Sequence, residues 1–199
     1  MKLNLLTMEL LQQSDFNKIG NIAKHCDLEK LAIAENEAII FDLAQLFCEN
    51  WSEIETIFEE VNNGSEDADK INLIEGGVYL GCNGKDKKHS GVRDILTYYT
   101  YARYVIINGY SDTATGLKTK TDTFTMPVPL KELEQFADKY RNMGLIIFNQ
   151  VQNYLCKSKS VFTWYKGECN CGCSDGKCDG TKAKGFGFKS KNITKYGLR

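Results

Sequence analysis

Between Pro129 and about Cys156, the residues Leu130, Leu133, Ala137, Tyr140, Gly144, Ile147, Val151 and Tyr154 or Leu155 recur at steps of three and four. That spacing marks one face of an α-helix, and Pro129 suits its first turn, where a missing N–H costs nothing. At a rise of 1.5 Å per residue the helix is about 40 Å long, enough to act as the spine of a domain. The chain has only two prolines in 199 residues, which favours long uninterrupted elements. This length fits one domain, or one plus an appendage, and excludes a miniature held by disulfides alone. With 42% apolar and 26% charged residues, the composition also excludes a disordered or fibrous chain.

The remaining segments can be placed around that helix. Asp27 is a good N-cap, and Leu28, Leu31, Ala32, Ala34, Ala38, Ile39, Leu43, Leu46 and Phe47 follow it at helical spacing. Trp51, Ile54, Ile57, Phe58 and Val61 form the stripe of a second amphipathic helix. The polar run Asn62 to Lys70 reads as a surface loop. From Ile71 to His89 the glycines at 76, 77, 81 and 84 suggest short extended pieces on tight turns. Ser90 can cap a helix carrying Val92, Ile95, Leu96, Tyr99, Ile106 and Ile107, which Gly109 ends. Between Tyr110 and Pro127, Thr119, Thr121, Thr123 and Thr125 alternate as in a strand or hairpin arm. Val161 to Tyr165 is strand-like. The expected fold class is therefore mainly α: a bundle of amphipathic helices over residues 1–156, with a short β-hairpin arm around 110–127. Residues 157–199 form an extended basic C-terminal arm containing cysteines.

A net charge of −1 conceals an asymmetry. Residues 156–199 carry ten Lys or Arg against three Asp or Glu, while residues 1–155 carry fifteen against twenty-three. The chain is thus an acidic body with a basic tail. Its apolar runs, such as Gly144 to Phe148, fall far short of the ~20 residues of a membrane span. Met1 to Glu9 has one lysine and a short apolar patch broken by Glu9, with no small-residue cleavage site behind it. The pattern predicts maturation in a reducing cytoplasm.

Little in the sequence suggests an enzyme. His25 and His89 are the whole histidine supply, and neither lies in a helical metal motif; an exposed or hydrogen-bonded histidine is the expectation for each. No phosphate-binding, nucleophile-elbow or dinucleotide motif occurs. The one constellation that can carry chemistry is Cys169, Cys171, Cys173 and Cys178. In an extended strand the first three start on one side and Cys178 returns over a turn at Gly176, so four thiolates can converge on a zinc ion. Free reduced cysteines in a glycine-rich loop are the alternative reading, and a pair oxidised after release from the cell is a third. Cys26, Cys48, Cys82 and Cys156 read as small buried apolar residues.

Ten cations in the tail, interleaved with Trp164, Tyr165, Phe186 and Phe188, can meet phosphate or an acidic protein surface. Lysine dominates there and no base-reading module is recognisable, which favours a protein partner. The run Tyr98-Tyr99-Thr100-Tyr101-Ala102-Arg103-Tyr104 is apolar on too many sides for a water-facing helix. Either that helix is central in the domain or Tyr101 and Tyr104 contact another chain.

Asp27-Leu28 and the helix through Ala34 and Leu46 to Trp51, after an opening around Leu5-Leu6-Thr7, resemble the start of tailed-phage head-to-tail connector proteins of the adaptor or head-completion type. Gly91-Val92 leading into the tyrosine run, Gly116-Leu117-Lys118-Thr119-Lys120, and the long helix ending at Tyr154-Leu155 are similar to connectors of crAss-like and related Bacteroidetes phages. The resemblance covers about residues 1–156 and does not include the cysteine-bearing arm. It implies a non-enzymatic virion protein of the neck, made in the host cytoplasm and needing no cofactor. Such a protein forms a homo-oligomeric ring of about twelve copies, a dodecamer, between the portal and an adjacent tail or second ring protein. Viral DNA passes through its lumen without sequence specificity, and acidic residues such as Asp67, Asp69 or Glu75 facing the channel would let it slide. Contact candidates are Tyr101, Tyr104, Lys118, Lys120, Trp164, Tyr165, Phe186 and Phe188. The rival is a nucleic-acid-binding regulator whose four cysteines form a zinc module.

Overall fold

In the computed structural model, which describes residues 8–19, 27–81, 84–113, 116–119, 128–167, 173–174 and 177–178, Asp27 caps the first long helix as its position predicts. Its carboxylate accepts the Lys30 N–H at 3.2 Å. Helix α1 (Leu28–Ala38) runs through a single π-helical turn (Ile39–Leu43) into α2 (Ala44–Phe47). The extra residue of the π turn leaves Ile40 and Phe41 on the outside, while Ile39 and Leu43 stay buried. At Cys48 the backbone takes φ +50°, the sole positive φ at a non-glycine among the described residues, and a 3-10 turn then leads into α3 (Trp51–Asn62). Trp51, Ile54, Ile57 and Phe58 form the buried stripe of α3.

The polar run after Asn62 is shorter as a loop than its composition predicts. Asp67 accepts the N–H groups of Asp69 and Lys70, which starts helix α4 (Ala68–Glu75) inside that run and buries Leu73 and Ile74. Strands β1 (Gly77–Leu80) and β2 (Asp86–His89) follow as an antiparallel hairpin, with Val78 opposite Lys88 and Tyr79 opposite Lys87. Gly91, at φ +81°, opens the next helix. A Cβ there would sit 2.2 Å from the Ile74 carbonyl oxygen, so only glycine lets the two segments meet.

Helix α5 (Gly91–Gly109) ends where Gly109 predicts and packs against α1, α4 and α6. Strands β3 (Tyr110–Thr113) and β4 (Gly116–Thr119) form the expected hairpin arm, Tyr110 pairing with Thr119. The alternating threonines at 121, 123 and 125 lie outside the described residues. Helix α6 (Leu130–Lys157) is the predicted spine, and Gly144 brings it close to α5: a Cβ at that position would lie 2.7 Å from the Tyr99 ring.

Val161 to Tyr165 does not form the expected strand. It coils into turns, the N–H groups of Val161 and Phe162 both donating to the Ser158 carbonyl and that of Tyr165 to Phe162. Seating the Phe162 and Tyr165 rings in the core decides this local conformation, so body packing continues past residue 156 to at least Tyr165. Beyond it, β5 (Cys173–Ser174) pairs with β6 (Lys177–Cys178). The fold is mainly helical, with β structure confined to two-stranded antiparallel hairpins among the described residues. No helix among them is long and apolar enough to cross a membrane.

Two buried charges tie the body together. Glu35, almost fully buried on α1, accepts the backbone N–H groups of Glu9, Leu10 and Leu11 at 2.8, 3.0 and 2.7 Å. Burial pushes its carboxyl above the ordinary carboxylate range, and those three donors pull the other way. Arg93 on α5 donates to Glu75, Asn62, Asp15 and the Leu10 carbonyl and lies over the Phe58 ring.

Candidate interaction surfaces

A groove runs between α2 and α6. It encloses about 390 Å³ and is lined by Leu46, Phe47, Cys48, Glu49, Asn50, Phe148, Gln152, Tyr165, Lys166 and Gly167. A separate depression of about 290 Å³ lies between the π turn, α2 and α5, lined by Phe41, Asp42, Gln45, Leu46 and Tyr99. The floor of the groove is rigid. Phe148 meets Phe47 edge-on with ring centroids 5.0 Å apart, and the turn carrying Tyr165 is fixed by the Lys166 N–H donating to Asn50 Oδ1. Asp42 accepts from Arg103 Nε at 2.6 Å, and Arg103 also reaches Glu37 and the Phe41 ring. Large apolar side chains stand exposed on the elements beside the groove: Ile40 (51%) and Phe41 (53%) on the π turn, Leu145 (42%) and Ile146 (59%) on α6. From Asn142 to Cys156, α6 has no charged residue. An exposed surface this rich in apolar groups is suited to protein contact.

The β1–β2 hairpin is a second such surface. Its outer face shows Val78 (58% exposed) and Leu80 (64%), and its inner face is fastened by aromatic rings. His89 stacks on Tyr154 with centroids 4.3 Å apart, and Tyr79 meets both edge-on. His89 corrects the expectation of an exposed or hydrogen-bonded histidine: it is buried, and neither ring nitrogen has a partner. Desolvation lowers its pKa to about 4, so the ring stays neutral and packs as an aromatic hydrocarbon would.

The tyrosine run resolves toward the first of its two readings, a central helix. Tyr101 and Tyr104 are buried in the chain's own core, the first edge-on to Tyr140 at 4.7 Å and the second accepting the Asp27 N–H through its hydroxyl. Neither is available on the surface of the described fold. A helix flanked by α1, α4 and α6 needs apolar residues on every side, which is why its sequence lacks a polar face. Burial pushes the Tyr101 hydroxyl up to about 12.

Tyr165 is buried and Trp164 half-buried, and both pack within the chain at the groove end. Lys118 lies on β4 opposite Ser111. Lys120, Phe186, Phe188, Cys169, Cys171 and His25 lie outside the described residues. The backbone of Cys173 is directly opposite that of Cys178, while the turn predicted at Gly176 lies outside the described residues. Among the described residues no group of three or more metal-binding side chains comes together. The expectation of inert buried thiols fails at two positions. Cys48 is exposed and free, its thiol donating to the Gln45 carbonyl, and Cys156 is disulfide-bonded. Cys26 and Cys82 also fall outside them.

Sequence reasoning missed the groove and the hairpin face, although each left a signal. The uncharged second half of α6 and the apolar run Val78-Tyr79-Leu80 beside lysines are both legible in the chain. No curated protein and no solved structure matches this chain. Residues 51–175, from the first residue of α3 through the spine helix to the last hairpin, match the family of unknown function DUF6712; that is more than half of the chain, and the protein belongs to this family.

Proposed function

We propose that this chain is a structural protein of a tailed-phage neck. It forms a homo-oligomeric ring between the portal and the next tail or ring protein, with DNA passing through the centre. The observation that carries this reading is the pairing of a tightly packed helical body with large apolar side chains held outward on two surfaces, the α2–α6 groove and the β1–β2 hairpin. Such side chains are costly to leave in water and are suited to subunit contact. The resemblance of residues 1–156 to phage connectors supplies the kind of assembly. In it, Tyr101 and Tyr104 support the body, and Lys118, Lys120, Phe186 and Phe188 remain candidates for contacts outside the core. Of the acidic residues proposed for the channel, Asp67 caps α4 and Glu75 accepts from Arg93, so a lumen role would fall first to Asp69.

The test is mass spectrometry of purified viral particles together with mass photometry of the purified chain. The reading predicts the chain in particles at a copy number fitting a ring, and self-association either alone or on portal. Absence from particles would end it.

A second reading, a nucleic-acid-binding regulator with a zinc module, draws on the register of Cys173 against Cys178. It requires one equivalent of zinc per chain and salt-dependent DNA affinity, both lost when Cys169 and Cys171 become serine.

A further inference from the structure

We infer that the basic C-terminal segment, residues 180–199, docks on the acidic outer face of α3 in its own chain, so that the body shields the cations of its tail. The contact does not depend on the ring reading, since a neck protein and a regulator would both carry it.

Three observations support the docking. The first is charge. Residues 49–69 contain eight Asp or Glu and no Lys or Arg. Residues 180–199 contain six cations, Lys182, Lys184, Lys189, Lys191, Lys195 and Arg199, and no acid. Blocks of one sign repel themselves and favour a surface of the other sign.

The second is that the acidic face lacks partners. Trp51, Ile54, Ile57 and Phe58 turn one side of α3 to the core, and at roughly 100° per residue Glu53, Glu55, Glu59 and Glu60 all fall on the other side. Lys70 answers Glu60, whereas Glu53, Glu55, Glu59 and Glu66 make no ion pair among the described residues. The crowding is felt at Glu55, whose carboxyl is pushed above the ordinary carboxylate range by burial and then by the charges of Glu59 and Glu9. A polycation laid on this face relieves that repulsion.

The third is position. The Lys166 N–H donates to Oδ1 of Asn50, the residue just before α3, so the chain leaves the body at the start of the acidic helix. Lys166 lines the groove with Glu49 at this exit, which leaves the acids from Glu53 onward for the tail. Helix α3 has 12 residues and is about 18 Å long. Even with Cys173–Ser174 paired back on Lys177–Cys178, the chain between Gly167 and residue 180 spans about 20 Å, enough to reach the whole face. Tethering at that distance gives the tail a local concentration of about millimolar, at which a modest electrostatic contact is occupied.

The experiment uses the full chain as an equal mixture of unlabelled and heavy-nitrogen protein. A carbodiimide, which joins touching amines and carboxylates without a spacer, is applied, and the linked peptides are read by mass spectrometry. Links from the tail lysines should fall on Glu53, Glu55, Glu59 and Glu66 about tenfold more often than on Glu132, Glu134 and Asp138 of α6, and should join peptides of one isotope. In about 1 M salt, where charges are screened within about 3 Å, the preference should vanish. Limited trypsin digestion reads the shielding itself. Cleavage after the tail lysines should be about tenfold faster when Glu53→Gln, Glu59→Gln and Glu66→Gln are combined, and within about twofold of wild type in the charge-matched control Glu132→Gln, Glu134→Gln and Asp138→Asn. All six substituted side chains are exposed, and circular dichroism with thermal melting checks that both variants fold.

Links spread evenly over the acids of the body, links joining the two isotopes, which would put the tail on a neighbouring copy, or trypsin rates that do not separate the two variants would each overturn the docking. The ring reading fails separately, through absence of the chain from particles.

Discussion

His89 and Arg93 are four residues apart on either side of Gly91, and both are buried, yet they are held in opposite ways. Arg93 is charged and each part of its guanidinium is answered: Glu75 on Nε, Leu10 and Asp15 on Nη1, Asn62 on Nη2. His89 has no hydrogen-bond partner and is enclosed by Tyr79 and Tyr154. The difference shows two routes by which a polar residue enters a core. A permanent cation cannot shed its charge and must bring its partners with it. An imidazole can give up its proton, and a neutral ring then gains from stacking what it loses in hydration.

The strongest way to break the comparison is Arg93→Ala. It leaves the Asn62 amide oxygen without a donor, removes one of the two donors to the Leu10 carbonyl, which keeps Asn62 Nδ2, and frees two carboxylates from their cation, and it should cost about 3–5 kcal/mol. A denaturant midpoint that moves by less than a fifth of that would mean that water replaces the guanidinium. Gly91→Ala strikes the joint between the two residues. The strain of φ +81° and a Cβ 2.2 Å from a backbone oxygen should together cost about 3 kcal/mol, read by the same titration.

His89 predicts a smaller effect with a definite sign. Its folded-state value of about 4 lies below the ordinary 6.5, so the unfolded chain binds the proton first as pH falls. The stability it contributes is whole above pH 6.5 and drains away toward pH 4. His89→Phe keeps the aromatic stack and should hold neutral-pH stability within about 1 kcal/mol while flattening this part of the profile. A variant as acid-sensitive as wild type would place the titration elsewhere, with Glu35 the next group to examine. The smallest effect belongs to the exposed pair Asp138 and Arg141 on α6, where Asp138→Asn should shift stability by less than about 0.5 kcal/mol. A larger loss would mean that ion pairing matters here without burial.

Much of this fold was legible along the chain. The α6 stripe, the Asp27 cap, the stop at Gly109 and the approach of Cys178 to Cys173 are local patterns, and the structure contains each of them. The misreadings share one cause. Val161 to Tyr165 has strand-forming residues but coils so that two rings reach the core, and α4 starts inside a polar run because Asp67 caps it. In both places a contact outside the segment, or a single hydrogen bond, outweighed composition. The candidate surfaces were harder to see, because exposure on one flank of a helix depends on what packs against the others.

By itself, the sequence determined where the long helix α5 ends and the long helix α6 begins, the cap that starts α1, the separation of an acidic body from a basic tail, and the clustering of four cysteines. Periodicity, capping and charge act over a few residues and need no partner. Only the tertiary structure decided that the tyrosine-rich helix is central, that Glu35 holds residues 9–11, and that Arg93 gathers four partners from as far as 83 residues away in the chain. It also decided that Val78 and Leu80 face outward. Those outcomes depend on which faces meet when helices pack, and packing joins side chains across distances over which local pattern carries no information.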